Sequence, residues 1–237
     1  MATGTIYLIP TTLGGETTND ITPEAVRAQV IELRYFIVES VKSARRYLRK
    51  LDRTFPIDDC RFFELNKKTD AGAIYSYIKP AKEGENIGVL SEAGCPGVAD
   101  PGAAVVRLAH EENIRVQPFV GPSSILLALM GSGFSGQNFT FHGYLPKERK
   151  DRIGAIKKFE GDCFRTGTTH IFMDTPFRNM NVLDDMLNNL TDPTLVCIAS
   201  NITLPTESIM TMTVKEWRKH AYDLAKKPTM FLIGKRQ

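Results

Sequence analysis

Apolar positions along this chain come either as short unbroken runs or as stripes spaced three and four apart. Residues 5–10, 35–39, 61–65, 87–91 and 114–120 are short runs rich in β-branched and aromatic residues, which predicts strands. Between them, Val26, Val30 and Leu33 form one stripe and Val41, Ala44, Leu48 and Leu51 another, each predicting a helix with one buried face. Thr22-Pro23-Glu24 predicts the start of the first of these, with Thr22 as N-cap and Pro23 at the first helical position. Residues 70–78, stopped before Pro80, and 103–109 complete the series. Five strands alternating with helices predict a parallel sheet with helices on its faces.

The pattern changes near residue 120. Gly121-Pro122-Ser123-Ser124 predicts the opening of a helix over 125–131. Strands are expected at 139–145, 170–173, 194–199, 208–214 and 229–233, and helices at 147–159, 178–190 and 215–225. The short Pro-containing connection between 199 and 208 predicts antiparallel pairing of the flanking strands. The expected architecture is therefore α/β with two domains, 1–120 carrying a parallel sheet and 121–237 a mixed one.

Residues 90–102 stand out within this frame. A buried strand breaks there into Ser91-Glu92-Ala93-Gly94-Cys95-Pro96-Gly97-Val98-Ala99-Asp100-Pro101-Gly102 and restarts as a helix. Glycines let backbone approach a ligand closely, prolines stiffen the loop, and open α/β sheets bind ligands outside the carboxyl ends of their strands. A structural crossover turn is the alternative. No Gly-x-Gly-x-x-Gly follows a strand and no Walker A sequence is present, which removes the usual support for dinucleotide and nucleoside-triphosphate readings. The helix start near Gly121 offers backbone N–H groups that suit an anionic or polar ligand group, or simply form a cap.

Composition adds bounds. An apolar share of 42% with 24% charged residues fits a globular protein, and a net charge of +3 permits an anionic partner without demanding one. The longest apolar run, residues 125–130, is far too short to span a membrane. Cys60, Cys95, Cys163 and Cys197 have neither metal-type spacing nor the look of a disulfide framework, so a metal-free protein of the reducing cytoplasm, without a signal peptide, is expected.

Two segments carry a family resemblance. One is the loop just quoted. The other runs from Pro118-Phe119-Val120-Gly121-Pro122-Ser123-Ser124 through Gly131-Ser132-Gly133-Phe134 to Phe141-His142-Gly143-Tyr144-Leu145-Pro146. Together they resemble the tetrapyrrole methylase superfamily of S-adenosylmethionine (SAM) methyltransferases, and within it the branch that 2′-O-methylates a cytidine of small-subunit ribosomal RNA. Tyr7-Leu8-Ile9-Pro10, Asp20-Ile21-Thr22-Pro23 and Thr229-Met230-Phe231-Leu232-Ile233 match more loosely. The chain departs from that branch at Glu39-Ser40-Val41-Lys42, Glu64-Leu65-Asn66-Lys67-Lys68, Asp174-Thr175-Pro176-Phe177-Arg178 and Ser200-Asn201-Ile202-Thr203-Leu204.

The resemblance implies two α/β domains with SAM in the cleft between them, in a homodimer. Carried over by position, it implies SAM contacts at Pro10, Glu92, Ala93, Gly94, Val98 and Ser123, and at Met173, Asn201, Thr229 and Met230. It implies RNA or a ribosomal subunit as partner. A tetrapyrrole or other small metabolite as acceptor, or a catalytically lapsed SAM- or RNA-binding homologue, remain alternatives.

Methyl transfer from SAM is an in-line displacement in which orientation supplies much of the rate, and a hydroxyl acceptor must also lose its proton. Glu39, Glu92 and Asp174, each at or just past a strand's carboxyl end, are the candidate carboxylates; the alternative for each is a cap or loop hydrogen bond. His142 is expected to be structural, and Cys95 to pack or contact a ligand through its backbone. The helix from Val41 carries Lys42, Arg45, Arg46, Arg49, Lys50 and Arg53, whose like-charge i,i+4 pairs oppose the helix unless anions lie near. That cluster, with Lys42, Arg45, Arg46 and Arg49 foremost, is a candidate RNA-contacting face, or else a solvated one. Lys147, Arg149, Lys150 and Arg152 are a second basic run that would extend it.

Overall fold

The computed structural model describes residues 3–15, 18, 21–66 and 69–235. Asp20, Lys67 and Lys68, which belong to the stretches compared above, lie outside them. The chain divides into two compact units, Met1–Ser123 and Ser124–Gln237.

The first unit holds a five-stranded, all-parallel sheet built from β1 (Thr5–Ile9), β2 (Tyr35–Val38), β3 (Arg61–Glu64), β4 (Ile87–Leu90) and β5 (Arg115–Pro118), in the order β3-β2-β4-β1-β5. Central β4 is buried at every position, as a strand covered on both faces must be, whereas edge strands β3 and β5 are exposed at both ends. Helices α1 (Glu24–Ile31), α2 (Val41–Leu51), α3 (Ala71–Tyr77), α4 (Lys79–Lys82) and α5 (Gly102–Glu111) connect the strands. One core packs Val26, Val30, Leu48 and Leu51 against Ile9, Phe36 and Leu90. The other packs Val105 and Ala109 against Ile6, Ile37 and Val89.

Several boundaries differ from expectation for local reasons. Pro23, expected as the first helical residue, is instead the N-cap of α1, and no side chain caps that helix. Pro80 does not end helical structure. It sits in the first turn of α4, where a missing N–H costs nothing. A single 3-10 turn, Ile57–Asp59, precedes β3.

The second unit holds a five-stranded mixed sheet of β6 (Phe139–Tyr144), β7 (Thr169–Met173), β8 (Leu195–Ser200), β9 (Ser208–Thr213) and β10 (Thr229–Gly234), in the order β6-β7-β10-β8-β9. β6 and β7 are parallel and the other pairs antiparallel, β8 with β9 included. Its helices are α6 (Ser124–Ser132), α7 (Arg149–Thr166), α8 (Asn179–Asn189) and α9 (Val214–Trp217). α6 begins at Ser124, so Pro122 precedes the helix instead of opening it. α7 runs on to Thr166, carried by buried Glu160 and Cys163, and ends on Gly167 in the left-handed conformation.

The helix expected over 215–225 is corrected to the four residues of α9. Thr213 and Glu216 close a capping box at its start. Trp217 then turns inward, its indole N–H donating to the Val196 carbonyl at 2.9 Å, and Arg218 spends its guanidinium on the carbonyls of Leu187 and Leu190. The chain leaves helical geometry, and Leu224 is buried from a loop.

Candidate functional site

In the first unit the sheet order places β4 between β2 and β1, so the segments that follow these three strands meet at one carboxyl edge. Thr11 and Gly94 join them as an isolated antiparallel bridge: Thr11 N–H donates to the Gly94 carbonyl at 2.9 Å and Gly94 N–H to the Thr11 carbonyl at 3.3 Å. Gly94 stands at φ +71°, where an L side chain is strained, and a Cβ there would lie 3.3 Å from Leu13 Cδ2 and 3.5 Å from the Pro122 carbonyl. Gly121 is tighter still, since a Cβ on it would lie 2.3 Å from Pro10 Cβ. The segments containing Pro10, Gly94 and Gly121-Pro122 are thus packed closely, through the Pro10 ring and Leu13 side chain as well as the Thr11–Gly94 bridge and the Pro122 carbonyl.

Asp100 shapes the rest of the loop. Its carboxylate accepts from Gly97 N–H at 2.8 and 2.9 Å and from Gly102 N–H, at the head of α5, at 2.6 Å. Burial pushes its pKa up while those two amides pull it down. Cys95 donates to the Pro122 carbonyl at 3.5 Å, and burial raises its pKa, the opposite of an activated nucleophile.

On the α2 side of this junction lies a pocket of about 340 Å³. Thr11, Thr12, Leu13 and Gly14 line one wall, Ser43, Ala44, Arg46, Tyr47 and Lys50 a second, and Ser91, Glu92 and Ala93 the third. Tyr47 ties α2 to the β1 loop by donating to the Pro10 carbonyl at 3.0 Å. Ser43 Oγ donates to Glu92 Oε2 at 2.9 Å, and Glu39 Oε2 accepts from Glu92 N–H at 2.8 Å. Lys50 Nζ donates to the Gly15 carbonyl at 3.0 Å. Among the described residues the pocket therefore combines two cations, one carboxylate and several hydroxyls.

Not every residue named from the sequence reaches it. Glu92 and Ala93 line the pocket; Pro10, Gly94, Val98 and Ser123 do not. Glu39 holds the backbone of Glu92 in place. Within the basic helix, Arg46 and Lys50 line the pocket, Arg45 pairs with Asp58 at 2.9 Å, Arg49 donates to the Arg53 carbonyl at 2.7 Å, and Lys42 is exposed. Ser43, Tyr47, Thr11 and Thr12 were not singled out from the sequence. The signal for two of them was there, because Ser43, Arg46, Tyr47 and Lys50 are spaced three and four apart on one helix face.

The second unit brings Met173, Asn201, Thr229 and Met230 to one edge of its sheet. Met230 pairs with Met173, Thr229 with Ser200, and Asn201 N–H donates to the Pro228 carbonyl at 2.9 Å. Asp174, just past β7, is buried; its Oδ1 accepts from Thr175 N–H at 2.6 Å and from Arg178 Nε at 2.7 Å, while Oδ2 has no partner among the described residues. The second basic run does not form one exposed face. Arg149 and Arg152 both bind Asp185, at 2.9 and 2.8 Å, and Arg152 is buried.

His142 sits on edge strand β6, next to a bulge in its pairing with β7, with Nε2 2.8 Å from His170 Nδ1 and its ring stacked on Phe159. Burial pushes its pKa down to about 4, with His170 and Lys158 adding to the shift and Asp162 opposing it. Among the described residues no group of three or more His, Cys, Asp or Glu is placed to hold a metal, and no helix is long and apolar enough to cross a membrane.

Known proteins share both sequence and fold with this chain. "Ribosomal RNA small subunit methyltransferase I" of Halalkalibacterium halodurans is 31% identical over 92% of this chain and 72% of its own length. The protein of the same name from Escherichia coli O157:H7 is 30% identical over 87% of this chain and 68% of its own length. Among solved structures, the methyltransferase CobJ superposes with a TM-score of 0.64 at 19% identity, covering 99% of this chain and 94% of its own. A diphthine synthase reaches 0.65 at 13% identity, covering 97% of this chain and 89% of its own. The model of the Tetrapyrrole (Corrin/Porphyrin) Methylases matches residues 5–217. On this match and on those relatives, the chain belongs to the tetrapyrrole methylase family and is a SAM-dependent methyltransferase.

Proposed function

We propose that this enzyme methylates ribose 2′-hydroxyls of small-subunit ribosomal RNA. The observation that carries the reading is the similarity, across about nine-tenths of the chain, to relatives named for the small ribosomal subunit RNA. The basic helix α2 supports it, since its exposed cations suit a phosphate backbone better than a neutral acceptor.

SAM supplies a methyl carbon bound to a positively charged sulfur. We place such a donor against the backbone of the segments at Pro10, Gly94 and Gly121. The backbone there is drawn together by the Thr11–Gly94 bridge, and side chains are excluded at both glycines. In this reading Pro10, Glu92, Ala93, Gly94, Val98 and Ser123 hold the donor, and Met173, Asn201, Thr229 and Met230 are the donor contacts contributed by the second unit. Asp100 keeps the loop in shape through Gly97 and Gly102. The work of the chain is to orient the acceptor hydroxyl and hold its proton, for which no metal is needed. The same reading expects a cytoplasmic homodimer.

The test is to incubate the protein with methyl-labelled SAM and, in separate pools, small ribosomal subunits, naked ribosomal RNA and a tetrapyrrole mixture. Label in the RNA-containing pools alone is the expected result. Label in the tetrapyrrole pool, or none anywhere, would overturn the reading.

A further inference from the structure

Left-handed backbone outside glycine collects at one edge of the second sheet. Among the described residues, Asn201 (φ +51°), Thr203 (φ +71°) and Lys226 (φ +61°) take that conformation in the two loops that follow β8 and precede β10. Asn201 N–H joins the loops by donating to the Pro228 carbonyl at 2.9 Å. The same edge carries Met173, Thr229 and Met230. Strained residues persist only where their surroundings hold them, and they gather at functional sites.

Thr203 is the least suited of the three. Asparagine visits the left-handed region through local hydrogen bonds and lysine is unbranched, whereas a β-branched residue is a true outlier there. No glycine lies between 201 and 207 to relieve the turn. What holds Thr203 is Glu207, whose Oε2 accepts from Thr203 N–H at 2.7 Å, a charge-assisted hydrogen bond. Around this latch the loop closes twice. Leu204 N–H donates to the Asn201 carbonyl at 2.9 Å and Glu207 N–H to the Leu204 carbonyl at 2.8 Å, while the Ile202 side chain is buried. Asn201 Nδ2 donates to Thr206 Oγ1 at 3.0 Å, which leaves Oδ1 as the atom that accepts.

We infer that Glu207 is a positioning residue for the donor contact at Asn201. Its carboxylate keeps Thr203 left-handed, Thr203 keeps the 201–204 turn closed, and the turn fixes the Asn201 amide beside Thr229. Glu207 acts through Asn201 and does not itself touch the donor. This rests on the reading of Asn201 as a donor contact and adds what holds it in place. Without the latch Thr203 returns to an extended backbone, the closed turn becomes a minor state, and affinity falls by the fraction of chains that keep it.

SAM affinity by calorimetry and the thermal midpoint are measured on the full chain. Glu207→Ala is expected to weaken SAM binding about fivefold or more, the factor set by the cost of a left-handed residue with a side chain. Its midpoint is expected to stay close to wild type, because Thr203 and Glu207 are both exposed. Glu207→Gln, whose amide oxygen still accepts from Thr203 N–H, is expected to keep most of the affinity. Thr203→Gly added to Glu207→Ala is expected to recover most of the loss, since glycine takes φ +71° without a latch. A carboxylate that merely stiffened the loop would give the opposite, because glycine loosens the loop further. Equal losses in Glu207→Ala with and without Thr203→Gly therefore overturn the latch. Asn201→Ala separates the two levels. If it weakens SAM binding and Glu207→Ala does not, the donor reading stands and the latch falls. If Asn201→Ala binds SAM as wild type does, the donor contact falls and the latch with it.

Discussion

At the scale of single residues, close approach does more than side-chain chemistry to shape the junction. A methyl group added at Gly121 meets Pro10 at 2.3 Å, so Gly121→Ala must push the two segments apart. Overpacking of this kind costs about 1–3 kcal/mol. SAM affinity in Gly121→Ala is expected to fall by an order of magnitude or more while the far-ultraviolet circular dichroism spectrum stays native; calorimetry on the folded variant checks this. Gly94 is legible from the sequence as a glycine in a ligand loop, yet what it touches is not. Leu13 and Pro122 lie far from it along the chain, and only the sheet order brings them near. Asp100 illustrates the same limit. The sequence shows an acid between glycines and prolines, while the structure shows a carboxylate occupied by two backbone amides. Asp100→Ala is expected to destabilise the first unit by about 1–3 kcal/mol, read as a shift in its denaturation midpoint, because both amides lose a charged acceptor.

Among elements, the strands were the most legible part of the fold. Buried β4 and β8 are continuous apolar runs, and runs of that kind survive any change in their neighbours. Short helices were not. A helix is expected over 215–225, but Trp217 and Arg218 take their partners from β8 and α8 and the helix ends after one turn. Basic helix α7 read as an exposed charged surface because Asp185 belongs to another element. With Arg152 and Asp185 both buried, Asp185→Asn is expected to cost about 3–5 kcal/mol, measured by urea denaturation, since the guanidinium is left without a counter-charge. β6 and β7 carry a pH-dependent element in His142 and His170. Both pKa values are lowered by burial, His142 to about 4. The unfolded chain therefore binds protons that the folded one refuses. Stability is complete above about pH 6.5 and is lost as pH falls from there toward 4, by about 2 kcal/mol at most for His142 after allowance for its partial exposure. Denaturation midpoints measured at several pH values should show this loss, and His142→Phe should flatten it relative to wild type.

For the whole molecule, the sequence pointed to an α/β fold with a parallel and a mixed sheet, and both sheets are present with those pairings. The pocket beside α2 was not legible, because it depends on β4 inserting between β2 and β1. That insertion brings Arg46, Lys50 and Glu92 to one pocket with residues 11–14. The family match defines the reaction class. The most direct test of the account is to react the protein with methyl-labelled SAM and unmodified small-subunit ribosomal RNA, digest the product to nucleosides and find where the label resides. The account predicts label in a 2′-O-methylated nucleoside, reduced when the exposed α2 cation Arg46 is reversed in Arg46→Glu. Label on a base, or no label in RNA while SAM still binds, would contradict it.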